Sequence, residues 1–470
     1  MPNNKKRNLN YLSLKIASVI SLAVFMAGCS TFSNTNYDKP AAAEVAKGVG
    51  APEQWVAPVI NKNITVDWLD TLNDPTLKTL IAEGKAKNID LKLAAANVEK
   101  ANLLASKSAT SLKPTANVSL SSNNSGKVQG ASASASSSVA INASWELDVW
   151  GRLQAGVDAA NANAQVAQAD YQYAIHSLSA NIAKTYFKVI EAKQQAAITK
   201  KNLQLLSKMM QITQVKYDNG IASGQDVAIN KANVASAKDQ LIELQGAERN
   251  ALRALELLLG RYPDATSEIP ANLPLLPPQP PAGIPSSILE RRPDLISAER
   301  SIAAAFNATK QAKTARLPSF SLTGALNGSS SSLSDILNPA NLAWQLASNI
   351  AAPLFDAGRS KIDIAVANTE QQQAIANYAK QALTAFSEVE NNLDQGAVLQ
   401  NRELELERVV SESQKAFKIA SLRYKEGEIG LLDTLNVQQQ TISAQSSLLS
   451  LKRLQLEQRI NLYLALGGDW

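Results

Sequence analysis

The chain has 470 residues, 45% hydrophobic and 5% aromatic, with 46 basic and 41 acidic side chains, one histidine and one cysteine. A single cysteine excludes a disulfide framework, and with one histidine beside it no zinc site or nucleophilic triad can be assembled, so no catalytic residue, metal site or cofactor is predicted. Four of the basic residues and no acidic ones fall in 1–28; the remaining 42 basic and 41 acidic residues nearly cancel and leave no basic patch for nucleic acid.

The first element is an address. Lys5, Lys6, Arg7 and Lys15 flank or precede a short apolar run over 16–27. A spanning helix needs about 20 apolar residues, so the run reads as a secretory signal. It ends Met26-Ala27-Gly28-Cys29, which resembles a bacterial lipobox with Met26 where leucine is usual. Cys29 is therefore predicted to become the lipidated first residue of the mature chain, the alternative being a chance cysteine after a signal. Ser30 at the next position implies sorting to the outer membrane. Residues 29–74 form an anchored segment of low regularity.

Beyond it the chain is two copies of one unit. Asn88-Ile89-Asp90-Leu91 and Arg292-Pro293-Asp294-Leu295 open helical runs 204 residues apart, and Lys113-Pro114 and Leu317-Pro318 end them at the same offset. Gly151-Arg152 pairs with Gly358-Arg359, Tyr217 to Gly220 with Tyr424 to Gly427, and Asp226 with Asp433, all 207 apart. The repeats span 75–260 and 286–470, joined by a proline-rich extended linker over 261–285. Each is predicted as helix, two strands, very long helix, tight turn and helix. The first helices cover 76–111 and 294–315, and the long ones 152–217 and 358–424. Prolines are absent from both long runs, so each could extend about 100 Å. Val234, Leu241, Glu248 and Leu255 recur every seven residues, as do Ala237, Leu244, Ala251 and Leu258, and Leu435, Ile442, Leu449, Leu456 and Tyr463. Sustained sevens mean left-handed coiled-coil packing.

Strands are predicted over 115–124, 139–150, 319–327 and 341–354. In the second, Val139, Ile141, Ala143, Trp145, Leu147 and Val149 alternate with Ala140, Asn142, Ser144, Glu146 and Asp148, a period of two. The length is close to the ~9–11 residues of a tilted membrane strand. Four strands cannot close a barrel in a bilayer, so the membrane reading requires oligomerisation, and three copies would supply twelve strands. A soluble sheet patch packed on helices is the alternative.

Leu289-Glu290-Arg291-Arg292-Pro293-Asp294-Leu295, Trp145 to Arg152 and the two Tyr-x-x-Gly turns together resemble the TolC family of outer-membrane factors, closest to the OprM/CusC/NodT-like lipoproteins. The resemblance spans essentially the whole mature chain. It implies a mainly α fold with membrane β structure: a trimeric twelve-stranded β-barrel, four strands per chain, continued by a long periplasmic α-helical coiled-coil barrel. It implies the passive exit duct of a tripartite efflux system, in outer-membrane lipid, docked to a periplasmic adaptor and an inner-membrane RND transporter. Protein-secretion or metal-efflux ducts of the same fold are alternatives, as is a structural coiled-coil lipoprotein. The turns at Tyr217-Gly220 and Tyr424-Gly427 would form the adaptor-docking tip. Tyr424 and Asp226 match a tyrosine and an aspartate that lock this tip in the family, although Asp226 also reads as a plain helix cap. Asp433 matches one position of the family's acidic constriction, or caps a helix facing outward. Asn436 stands at the second acidic position, and Ile429 where a basic gating residue occurs.

Overall fold

The computed structural model describes residues 37–40, 42–58, 68–126 and 133–468, so Cys29 lies outside the described residues. The chain divides into two compact units, Met1–Lys39 and Pro40–Trp470, and the architecture that follows belongs to the second. Its helices and strands in chain order are α1 (Ala42–Gly48), α2 (Trp68–Leu72), α3 (Pro75–Lys87), α4 (Ile89–Ala109), β1 (Thr115–Gly126), β2 (Ala133–Leu147), α5 (Arg152–Asp218), α6 (Gly224–Leu258), α7 (Ile288–Arg291), α8 (Pro293–Thr314), β3 (Ser319–Ser330), β4 (Leu342–Ala351), α9 (Arg359–Glu426) and α10 (Leu431–Ala465).

The long helices α5 and α9 have 67 and 68 residues, each about 100 Å at 1.5 Å per residue. Both start after a left-handed glycine, Gly151 at φ 73° and Gly358 at φ 86°, where a side chain would be strained. An aspartate then satisfies first-turn amides. Asp148 accepts from the N–H of Leu153 at 3.0 Å and Gln154 at 2.7 Å, and Asp356 accepts from that of Ser360 at 2.9 Å. The α6 helix folds back on α5, and α10 on α9. The sevenfold positions of α6 form its covered side: Ala237, Ala251 and Leu255 are buried and Val234, Leu241, Leu244, Glu248 and Leu258 half-buried.

At the root of the hairpins lies the main core. Ile182, Tyr186, Phe187 and Ile190 of α5 meet Leu77 and Ile81 of α3, Leu255 of α6 and Ile460 of α10. Here the helix expected over 76–111 is broken at Asn88. Its side-chain oxygen accepts from the Leu91 N–H at 2.9 Å, which caps α4, and its amide donates to the Leu258 carbonyl at the end of α6, also 2.9 Å. In the second repeat Arg292 stands at the matching break between α7 and α8 and donates to the Ala465 carbonyl at 3.2 Å. Positions 258 and 465 are 207 apart, so both repeats make one contact with different side chains. Glycines allow the close approach: a Cβ at Gly260 would lie 2.6 Å from the Lys87 oxygen, and one at Gly467 2.9 Å from the Arg292 nitrogen.

The proline-rich linker is fixed rather than loose. The buried Glu256 carboxylate accepts the N–H groups of Ala265, Thr266 and Ser267 at 2.8–3.1 Å. Lys193 and Gln194 of α5 donate to the Ile269 and Ala271 carbonyls, both at 2.8 Å. Beside it, Trp55 donates to Ala282 O and packs edge-on against Phe386, while Glu390 accepts the Val56 and Ala57 N–H groups.

Arg261 opens that linker and pairs with Glu83, which Lys87 also reaches at 3.0 Å. The Arg261 hydrogen bonds are the chief cause that lowers the Glu83 pKa from 4.5 to about 2. Between those values the unfolded chain takes up the proton more readily than the folded one. The stabilisation is whole above pH 4.5 and disappears as pH falls towards 2. Glu83→Gln is expected to flatten that part of the thermal-stability profile. An unchanged acid limb in the variant would show that other carboxylates carry it.

Candidate functional site

The four strands make one antiparallel sheet in the order β1-β2-β3-β4, so the hairpins of the two repeats join through β2 and β3. Its register sets side chains in rows across all four strands. Val118, Ile141, Leu326 and Trp344 form one row, and Leu120, Val139, Gly328 and Leu342 the next on the same face. This face is open: Val118 is 70% exposed, Leu346 73% and Trp344 81%. An apolar surface of this extent is a site for lipid or for another chain. The opposite face carries Asn117, Asn142 and Gln345 in one row and Glu146, Ser321 and Asn349 in another. Glu146 is the carboxylate on that face, and Arg152 pairs with it at 2.6 Å.

Both hairpins depart from the predicted strand ends. β2 begins at Ala133, because backbone pairing continues past the apolar stretch, assisted by hydroxyl pairs Ser121–Ser138 and Ser125–Ser134, both 2.8 Å. It stops at Leu147, where Asp148 turns to cap α5, and β4 stops at Ala351 before Pro353. The outer edges of β1 and β4 have no neighbouring strand among the described residues.

At the far end of the hairpins, each turn closes on a left-handed glycine, Gly220 at φ 72° and Gly427 at φ 82°. The following amides reach back to the carbonyls of Lys216 and Arg423 at 2.8 and 2.9 Å, as in a Schellman cap. The two tyrosines of the turns lie differently. Tyr217 is 47% exposed and Tyr424 only 6%. The Tyr424 ring packs with Met209 and Leu431, and its hydroxyl lies 2.7 Å from that of Thr213. Thr213 donates to Met209 O at 2.9 Å and receives the Asn230 amide at 2.6 Å. A hydroxyl has one hydrogen and two lone pairs, so Tyr424 is the donor to Thr213. Lys216 completes the node, 4.4 Å above the Tyr424 ring centroid and donating to Tyr424 O at 2.6 Å.

Asp226 is not part of this node. Its backbone N–H meets the Ser223 hydroxyl at 3.1 Å, and its carboxylate accepts the Ser223 N–H at 3.0 Å and hydroxyl at 2.8 Å, a complete capping box. The pairing of Tyr424 with Asp226 expected from the family resemblance is therefore corrected: within the chain Tyr424 bonds Thr213, and the Asp226 carboxylate is committed to its own helix. Asp433 and Asn436 are exposed on the first turns of α10. Asn436 lines a groove of about 320 Å³ between the hairpins, together with Asn202, Ile229, Leu435 and Gln438.

The sequence matches the outer membrane efflux protein family twice, over residues 80–261 and 284–468. The chain belongs to the outer membrane efflux protein family. It is similar to the cation efflux system protein CusC of Escherichia coli O6:H1, with 30% identity over 456 residues, 96% of this chain and 97% of the relative. To the pyoverdine export outer membrane protein OpmQ of Pseudomonas aeruginosa it is 27% identical over 475 residues, 98% of each. Its fold matches the outer-membrane channel OprN at a TM-score of 0.83 and 26% identity, covering 93% of this chain and 99% of that one.

As an outer membrane efflux protein, the chain is the outer-membrane channel of a tripartite efflux system, and the TolC-family channel fold accounts for its form. Members of the family are channel proteins. One apolar and one polar face is the pattern of membrane β-strands, apolar towards lipid and polar towards a lumen. Among the described residues no group of three or more His, Cys, Asp or Glu could hold a metal ion. The sequence reading passed over Thr213 and Asn230, the polar residues that engage Tyr424. Asn230 falls seven residues before Ala237, at a core position of the α6 heptads, and a polar residue in such a seam is a readable signal.

Proposed function

We propose that three copies of the chain assemble into one duct: a twelve-stranded barrel in the outer membrane, continued by six helical hairpins into the periplasm. The observation that carries this is the sheet itself, with an open apolar face and two edge strands that have no strand partner among the described residues. In a bilayer such edges must pair, and four strands are too few to close. Cys29 is proposed as the lipid anchor. The tips at Gly220 and Gly427 are proposed to dock a periplasmic adaptor, which joins the duct to an inner-membrane RND transporter. Conduction is passive, and the cargo is small molecules handed on by the pump. Two relatives of comparable similarity bear the names of different cargoes, a cation and pyoverdine. That supports placing the choice of cargo upstream of the duct.

Light scattering of the detergent-purified protein should give three chains per particle, and its intact mass should show an acylated Cys29 at the N-terminus. Photo-crosslinkers at Tyr217 and Lys425 in intact cells should capture an adaptor and an RND transporter. Capture of an ABC transporter would move the reading to protein secretion. A monomer with silent bilayers would leave only a structural lipoprotein.

A further inference from the structure

The polar face of the sheet is nearly free of charge. Its rows are built from serine, asparagine, threonine, glutamine and alanine, and among the described residues Glu146 is the only charged side chain on it. Glu146 stands one residue before the end of β2, beside Ser321 of β3, at the end of the sheet from which α5 departs. The next carboxylate along the chain, Asp148, is committed to the N–H groups of Leu153 and Gln154. The second repeat has no equivalent, since the 207-residue offset puts Pro353 at the place of Glu146. Each copy of the chain therefore brings one such carboxylate.

Arg152 answers that carboxylate. Its Nη2 lies 2.6 Å from Glu146 Oε1, and both side chains are about a third exposed. The pair lines a cavity of about 470 Å³ between the two repeats, beside Asp148, Thr314, Ser319 and Ala351, so dissolved ions can reach it. The start of α5 does not depend on the pair, because Asp148 caps the helix and Gly151 makes the bend before it. An ion pair this open to water also adds little to stability. In the second repeat Arg359 stands where Arg152 does, but its side chain reaches only the exposed Asp363, at 3.7 Å.

With the polar face turned to the lumen of the proposed barrel, a trimer sets three Glu146 carboxylates in one ring where the barrel gives way to the helices. A ring of bare carboxylates draws cations and holds anions back. Paired at 2.6 Å, each carboxylate and its guanidinium form a short dipole whose field falls off far faster than that of a free charge. We infer that the Glu146–Arg152 pair sets the charge preference of the duct at the inner mouth of the barrel: Arg152 masks the carboxylate ring, so that cargo of either sign passes. The inference rests on the trimeric reading above.

The test uses the full-length protein in planar bilayers and reads the potassium-to-chloride permeability ratio from the reversal potential in a salt gradient. Salt is held near 0.01 M, where the Debye length is about 30 Å and an unmasked ring is felt across a lumen. Arg152→Gln should raise the ratio several-fold and Glu146→Gln should lower it. The double variant should return to the wild-type ratio, and Arg152→Lys, which keeps the cation, should stay there. The same series in an Asp433→Asn background keeps carboxylates at the tip from setting the ratio. At about 1 M salt the Debye length is only about 3 Å, and the differences should vanish. Opposite shifts that cancel in the double variant are not what a damaged fold produces. A trimeric, conducting duct whose ratio is the same in every variant and in both backgrounds would overturn the inference and leave the trimer standing, as would shifts of one sign. A protein that light scattering shows to be monomeric, or that leaves bilayers silent, would overturn both.

Discussion

Arg292→Met is expected to destabilise the folded chain by about 3 kcal/mol, the low end for removing one partner from a buried ion pair. The Arg292 side chain is 5% exposed, and it binds Asp294 at 2.7 Å, Glu388 at 2.6 Å and the Ala465 carbonyl at 3.2 Å. One side chain thus ties α8, α9 and α10 together at the root of the second hairpin. Burial opposes its charge, but the hydrogen bonds and fields of Asp294 and Glu388 outweigh burial and raise its pKa further above the ordinary value. It therefore acts as a cation at every pH the fold survives. The Met variant keeps the apolar stem and removes the fork, leaving the Ala465 carbonyl short of a donor. Because Asp294 and Glu388 are partly solvated, their release is not the worst case. Asn88→Ala, the matching change in the first repeat, removes a neutral amide and a helix cap and should cost roughly 1–2 kcal/mol. Thermal melting followed by circular dichroism should rank the variants in that order. A melting curve for Arg292→Met that superimposes on the wild type would mean the root is held by packing alone.

That root also shows how far the sequence could be read. The repeat was legible because its landmarks are sterically forced: prolines end the first helices, and left-handed glycines precede the long ones. The strands were legible because a half-exposed sheet demands a period of two. The helix start at Asn88 was legible from the repeat, but its distant partner was not, since the carbonyl that the Asn88 amide meets lies 170 residues away in the chain. The early start of β2 was hidden for a different reason. Its extra residues, Ala133 to Ser138, are serines and alanines, which carry no polarity contrast for a period to show.

At the tip the residues were legible singly and their partners were not. Spacing picked out Tyr217, Tyr424, Asp226 and Asp433, yet equal spacing could not say that one tyrosine is buried and the other exposed. That difference comes from what lies opposite each, a tertiary fact. Asp226 was decidable in advance: Ser223 stands three residues before it, and Ser-x-x-Asp at the start of an apolar run satisfies first-turn amides in both directions. A carboxylate already accepting two hydrogen bonds from its own cap has less to offer a distant phenol.

If the tip is the gate, the Tyr424 node carries the larger expected effect on conductance. Thr213→Val preserves shape but removes the group that accepts from both Tyr424 and Asn230. Two buried donors then lose their acceptor, at about 1–3 kcal/mol each. Tyr424→Phe removes one donor and leaves Thr213 and Asn230 bonded to each other, so its effect should be smaller, near 1 kcal/mol. The Asn230 Oδ1 atom accepts no hydrogen bond among the described residues, and it could take the Tyr424 hydroxyl in Thr213→Val only after a rotation of that amide. A weakening of 1–2 kcal/mol changes an equilibrium roughly 5- to 30-fold, and each copy of the proposed trimer would repeat it. In planar bilayers Thr213→Val should therefore raise conductance and its fluctuation most, Tyr424→Phe less. Asp226→Ala, which loses only a cap, should stay near the wild type. If Asp226→Ala opened the duct as far as Thr213→Val, the lock would include the Asp226 carboxylate, which the chain would then have to free from its capping box.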